Sequence, residues 1–271
     1  MCCVIVVVGL LAIILFDIFS KAIGVISIQF LLNIPKRGMT EGGIFSAIVG
    51  TTLLAFLTAI FSIPIGVGCA IYLKEYAKES FLTGLIRASI RNLAGVPSII
   101  YGLFGVAIFV QMANMGTSIL ASGLTLGLMT LPFIISASEE GLSLVPASMR
   151  EGALALGATK WETIRFTVLP AAVPGILTGA ILGLSRAAGE TAPILFTGVA
   201  FYLRFLPSSV FDEFMALPYH LYILSTQHHD IDGVKGIAYG TALVLIILVF
   251  VLNLAAFIIR NRYRSKKFFN P

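Results

Sequence analysis

Long apolar runs dominate this chain, and its polar residues are gathered between them. About twenty apolar residues in helical form cross the hydrocarbon core of a bilayer. Six runs meet that length: residues 3–20, 46–73, 93–113, 117–138, 171–200 and 236–259. The pattern predicts an all-α polytopic membrane protein with six transmembrane helices. Pro64 with Gly66 and Gly68, Gly95 with Pro97, and Pro132 mark expected bends within the runs, since proline removes a backbone donor. The first run lacks the cationic flank and the small-residue cleavage site of a signal peptide, so it reads as a span. The longest polar stretches are 139–170 and 201–235. Breaks at Leu206-Pro207 and Leu217-Pro218 make the second an ordered loop with short helices.

Segment 139–170 is more structured than a simple connection requires. Pro146 suits the first turn of a helix, and Met149, Ala153 and Leu156 recur at helical spacing. Gly157 fits the left-handed position that ends a helix. Thr159 and Glu162 have the spacing of a capping box that starts a second one. At Leu169-Pro170 the proline is expected to force a break or a new start. The segment therefore reads as helix, glycine turn, helix. It serves either as a projection that docks on a partner or as an amphipathic pair lying on the lipid surface.

Composition narrows the class. Of 271 residues, 58% are hydrophobic and 11% charged, and the mean hydropathy is +1.00, a balance that belongs in a membrane. The net charge of +5 marks orientation rather than a nucleic-acid partner. With both termini inside, the inner side carries Lys74, Lys78, Arg87, Arg91, Arg150, Lys160, Arg165, Arg260, Arg262, Arg264, Lys266 and Lys267. The outer side carries Lys21, Lys36, Arg37, Arg204 and Lys235. This bias places both termini and the 139–170 loop in the cytosol, and the basic tail acts as a headgroup anchor. Cys2, Cys3 and Cys69 form neither a metal nor a disulfide pattern. No G-x-x-x-x-G-K-[ST] phosphate loop is present, so any ATP hydrolysis belongs to a partner and the chain reads as a transport subunit, not an enzyme. His220, His228 and His229 all fall in the 201–235 loop, where they read as solvated; no metal site or other cofactor is expected.

The fifth run combines small residues with charge. Gly175, Gly179, Gly183 and Ala187 recur every four residues, a spacing that lets helices approach closely, and Arg186 and Glu190 fall in the same broad sector. Arg186 lies about 22 Å along the helix from Ala171. An arginine there costs about 2.5–3.5 kcal/mol on lenient insertion scales and is a functional candidate by default. Its planar fork suits an oxyanion, and Glu190, one turn on, balances the charge when no anion is present. The bland alternative is a structural ion pair that locks this helix to a neighbour. Pro193 is expected to kink the outer end of the span, and Asp17 is expected to snorkel at an interface.

The same residues carry a family resemblance. Glu151-Gly152-Ala153, Gly157 and Thr167-Val168-Leu169-Pro170 resemble the EAA loop of membrane subunits in binding-protein-dependent ABC importers. Gly152 replaces the usual alanine, at roughly 1 kcal/mol of helix propensity, and Thr167 replaces the usual isoleucine. With RNLAGVPSIIYGLFG (91–105) and LSRAAGETAPILFTG (184–198), the chain is similar to the phosphate-specific (Pst) permeases over about residues 45–260. GETAP and Leu217-Pro218-Tyr219-His220-Leu221-Tyr222 resemble the A-type subunit.

The resemblance implies the type I importer permease fold in a single transmembrane permease domain. It also implies partnership with a homologous C-type permease, an ATPase dimer and an extracytoplasmic phosphate-binding protein in the cytoplasmic membrane. Glu151, Gly152, Ala153, Gly157, Thr159, Leu169 and Pro170 would then couple to the ATPase, with Arg186 and Glu190 in the substrate pathway. Family members usually carry a longer leader, which leaves open a start upstream of Met1. An importer of molybdate or sulfate is the alternative in the same class, and an ATP-independent channel or secondary carrier the alternative outside it.

Overall fold

The computed structural model describes residues 2–265, and among them it is helical with no strands. In chain order the helices are α1 (Cys2–Ala22), α2 (Ile28–Leu32), α3 (Phe45–Ile71), α4 (Phe81–Leu93), α5 (Ser98–Gly105), α6 (Ile119–Ser143), α7 (Ala147–Ala155), α8 (Lys160–Thr163), α9 (Leu169–Gly189), α10 (Ala192–Thr197), α11 (Leu217–Thr226) and α12 (Ile231–Ser265). Lys266 and Lys267 of the basic tail lie outside the described residues.

Five helices are long and apolar enough to span a membrane, and a bent pair makes a sixth. Central α6 packs against α3 and α9, while α12 lies against α9 and α11, and α1 leans on α12. Several hydroxyls buried in these spans return to carbonyls of their own helix, as hydrocarbon supplies no water. Thr51 donates to Ala47 at 2.8 Å, Ser62 to Thr58 at 2.7 Å and Thr125 to Ala121 at 2.7 Å. Most long apolar side chains of α1, and many of α12 such as Ile247, Phe250 and Phe257, point outward, as lipid contact requires.

Three expectations are corrected. The run 93–113 is not one straight span: α4 and the helix Ser98–Met112 meet at 103°. Pro97 cannot continue α4 and instead caps α5, while the Tyr101 hydroxyl donates back to Leu93 O at 2.9 Å across the bend. The run 171–200 belongs to a continuous helix, Lys160–Gly189, that ends four residues before Pro193. Glu190 is already extended (φ −76°, ψ 136°), and Pro193 sits in the first turn of α10.

At Leu169-Pro170 the chain makes the new start expected there rather than a break: α9 begins with Pro170 in its first turn, and a π turn over Ile164–Val168 precedes it, with the Leu169 N–H donating to Ile164 O. A proline in a regular helix clashes with the carbonyl four residues back; the wide turn accommodates it.

Segment 201–235 is ordered and holds the short helix α11, as expected, but it is packed into the bundle rather than solvated. Ile119 N–H donates to Asp212 O at 3.0 Å, Ala200 N–H to Phe214 O at 2.8 Å and Leu217 N–H to the Thr51 hydroxyl at 2.8 Å. Phe214, Met215, Ala216 and Leu217 are buried, closing the end of the bundle opposite the 139–170 loop. Two of the three histidines are therefore buried too: His220 is 2% and His228 5% exposed. His228 Nε2 lies 2.9 Å from Gly38 O, which ties this cap to the turn before α3. Leu217-Pro218 starts α11, whereas Leu206-Pro207 lies in non-helical chain.

Candidate functional site

The small residues of α9 seat it against α6. Viewed from α9, a Cβ at Gly179 would collide with the Cβ of Ala137, one at Gly175 would lie 2.7 Å from Gly141 Cα, and one at Gly183 would lie 3.4 Å from the Ile134 side chain. Ala187 continues the stripe and is buried. The contact residues on α6 recur at helical spacing, so two backbones meet along a seam without bulky side chains.

Arg186 lies beside that seam rather than in it. Its guanidinium stands 4.8 Å from the Phe133 ring of α6, and its side chain is 42% exposed, against 18% for Glu190. Nε donates to Glu190 Oε1 at 3.3 Å. The pair forms where α9 ends, so Glu190 is held by extended chain instead of a helical turn. Among the described residues no other hydrogen-bond partner meets the guanidinium. Its two terminal amino groups therefore remain available to an oxyanion, with one charge partner close by.

The 139–170 segment carries the second group. α7 is closed by the turn at Gly157, two residues past its end, whose φ of +88° is the left-handed geometry that glycine adopts cheaply. Thr159 then opens α8 with both halves of a capping box. Its N–H donates to Glu162 Oε2 at 2.8 Å, and Glu162 N–H donates to its hydroxyl at 3.3 Å. Glu151 and Gly152 are exposed, Ala153, Leu169 and Pro170 half-buried. Leu154, Leu156 and Trp161 stand out from the same projection, Leu156 at 92% exposure. This segment and Arg186 are not neighbours. Seventeen residues of one helix separate Leu169 from Arg186, about 25 Å at helical rise.

Sequence reasoning missed the anchors of this projection. Arg150, on α7, donates from Nη1 to Val145 O at 2.6 Å and from Nη2 to Leu142 O at 2.8 Å. It also grips Glu75 Oε1 through Nη2 at 2.8 Å and Nε at 3.2 Å. Arg87, on α4, donates to Leu73 O at 2.9 Å and to Glu139 at 3.1 Å. Both arginines entered the sequence argument only as orientation charges, because nothing local links Arg150 to a glutamate in another helix. Asp17 pairs with Lys21 at 2.6 Å. Among the described residues no cluster of three metal-ligating side chains exists.

This bundle with its projecting helix pair has known counterparts. Residues 62–266 match the family model described as the binding-protein-dependent transport system inner membrane component. The chain belongs to this family. It is thus a multi-pass membrane subunit of a transporter and not itself an enzyme.

Among its relatives, a probable ABC transporter permease protein of Bacillus subtilis (strain 168), YqgI, is 33% identical over 92% of this chain and 89% of its own length. The phosphate transport system permease protein PstA 1 of Mycobacterium tuberculosis (strain ATCC 25618 / H37Rv) is 38% identical over 81% of this chain and 70% of its own. PstA of Xylella fastidiosa (strain Temecula1 / ATCC 700964) is 31% identical over 90% and 85%. Among solved structures, an inward-facing MetNI methionine ABC transporter superposes with a TM-score of 0.64 at 19% identity, covering 81% of this chain and 97% of that one. A bacterial alginate ABC transporter superposes with 0.61 at 16% identity, covering 91% and 83%. These two share the fold of ABC importer permeases.

Proposed function

We propose that this chain is the A-type permease subunit of an ATP-driven, binding-protein-dependent importer that moves inorganic phosphate across the cytoplasmic membrane. Relatives named as phosphate permeases support the substrate class. The observation that carries a pathway role is Arg186, a half-exposed guanidinium within a span that keeps two donor groups free beside Glu190. An arginine that served only to lock helices would spend all its donors on protein. Glu190 lowers the cost of the charge between transport events and competes with the anion, which keeps phosphate binding transient.

In this reading both termini and the 139–170 projection face the cytosol. Glu151, Gly152, Ala153, Gly157, Thr159, Leu169 and Pro170 form the coupling segment that meets the ATPase dimer. A homologous C-type permease completes the pathway, and a phosphate-binding protein docks on the buried cap at the opposite end.

The deciding experiment uses the assembled importer in liposomes, with Arg186→Gln and Arg186→Lys set against wild type. Phosphate uptake is expected to fall at least about tenfold in Gln and to be partly kept in Lys, with ATP hydrolysis intact. Unchanged uptake in a complex that still hydrolyses ATP rules the pathway role out. Stimulation of the wild type by sulfate- or molybdate-loaded receptor, but not by phosphate, reassigns the anion.

A further inference from the structure

α7 is a nine-residue helix with no buried residue of its own. An apolar core therefore does not fix its direction, although Met149 touches the cluster beneath it. What fixes it is Arg150. This guanidinium reaches three acceptors at once: Leu142 O and Val145 O at the exit of α6, and the Glu75 carboxylate on the π turn that ends α3. Glu75 is only 9% exposed and Arg150 22%. Removing a carboxylate from water to that extent is costly unless it is gripped closely, and here two donors of one fork share a single oxygen. Arg87 holds Leu73 O on the same turn and Glu139 on α6. The end of α3 is thus held from two sides, and of the two arginines it is Arg150 that carries the connection out to α7.

We infer that Arg150 is a positioning residue: with Glu75 it makes α7 move as one body with the ends of α3 and α6, so that a partner's push on α7 becomes a displacement of spans. The Gly157 turn, where an added Cβ would meet open space, is the joint between α7 and α8, and α8 runs on helically into α9. Through Arg150, motion of α7 reaches the ends of α3 and α6 directly. The inference rests on the proposed reading that an ATPase drives this projection.

Two measurements separate that reading from the lock itself. In the assembled importer, Arg150→Gln and Glu75→Gln are each expected to keep ATP hydrolysis within about twofold of wild type while phosphate moved per ATP falls about tenfold. The double variant should be no worse than either single one, since both remove the same link. Arg150→Lys keeps the charge but not the fork; it should restore assembly wherever Gln impairs it, without restoring the ratio.

Independently of transport, spin labels at Ala155 and Lys78 on the chain alone in nanodiscs should give a narrow distance distribution that broadens in Arg150→Gln. Unchanged distances, or a ratio unmoved in both single variants, overturns the lock. Loss of assembly in every variant, Lys included, overturns it in favour of a purely structural role. A wild-type importer that hydrolyses ATP without responding to phosphate overturns the transport reading, while the label distances still test the lock.

Discussion

His220 has neither ring nitrogen hydrogen-bonded and is buried in the cap formed by α11. Burial, with a smaller contribution from the charge of His228, lowers its pKa from 6.5 to about 4. The folded protein thus holds it neutral while the unfolded chain binds a proton below pH 6.5. The unfolded state then takes up more protons, so stability is fully present above pH 6.5 and is lost as pH falls toward 4. A shift of that size corresponds to roughly 3 kcal/mol. Thermal unfolding in detergent between pH 7.5 and 4 should show a steep acid-side loss that His220→Phe flattens. An identical slope in the variant would place the acid sensitivity elsewhere. Arg186, by contrast, lies half-exposed beside Glu190.

At the scale of elements, α9 shows how far glycine's missing side chain reaches. Gly179 faces the Cβ of Ala137 directly, so Gly179→Val should push α9 off α6 and destabilise by about 1–3 kcal/mol. Gly152 is the contrasting case, helical with open space where a Cβ would go. Gly152→Ala should stabilise α7 by roughly 1 kcal/mol. Unfolding midpoints of the two variants test both signs together, and equal shifts would show that packing does not govern α9.

The α9 seam was legible in the sequence because small residues every four positions are a local signal. The turn at Gly157 and the Thr159–Glu162 cap were legible for the same reason. The place of the bend after Leu93 was legible in Gly95 and Pro97, but its 103° angle was not, since an apolar run records burial in lipid but not direction. Nor was the burial of Phe214 through Leu217, which depends on α3 and α6 arriving from elsewhere in the chain. Arg150 and Glu75 are 75 residues apart, and their charges alone predicted only a side of the membrane.

For the whole molecule, the question is what covers the projection that the bundle holds out. Leu154, Leu156 and Trp161 expose apolar surface next to a polar capping turn, which fits either a protein groove or the headgroup layer of the bilayer. Trp161 is the only tryptophan in the chain and is 55% exposed, so it reports on this choice without a label. If the segment docks on an ATPase, emission of the chain in nanodiscs should be that of a hydrated indole. It should then shift to shorter wavelength, saturably, as the ATPase subunit is added. An emission already blue-shifted in nanodiscs and unmoved by the ATPase would place the helix pair on the lipid surface and remove the coupling role. Arg150→Gln sharpens the test, because it frees α7 while leaving the apolar edge intact. Docking should survive in that variant, so the fluorescence shift should persist even where phosphate moved per ATP has fallen. Contact and transmission would then be separate properties of the projection, the first set by its exposed apolar edge and the second by how Arg150 ties α7 to α3 and α6.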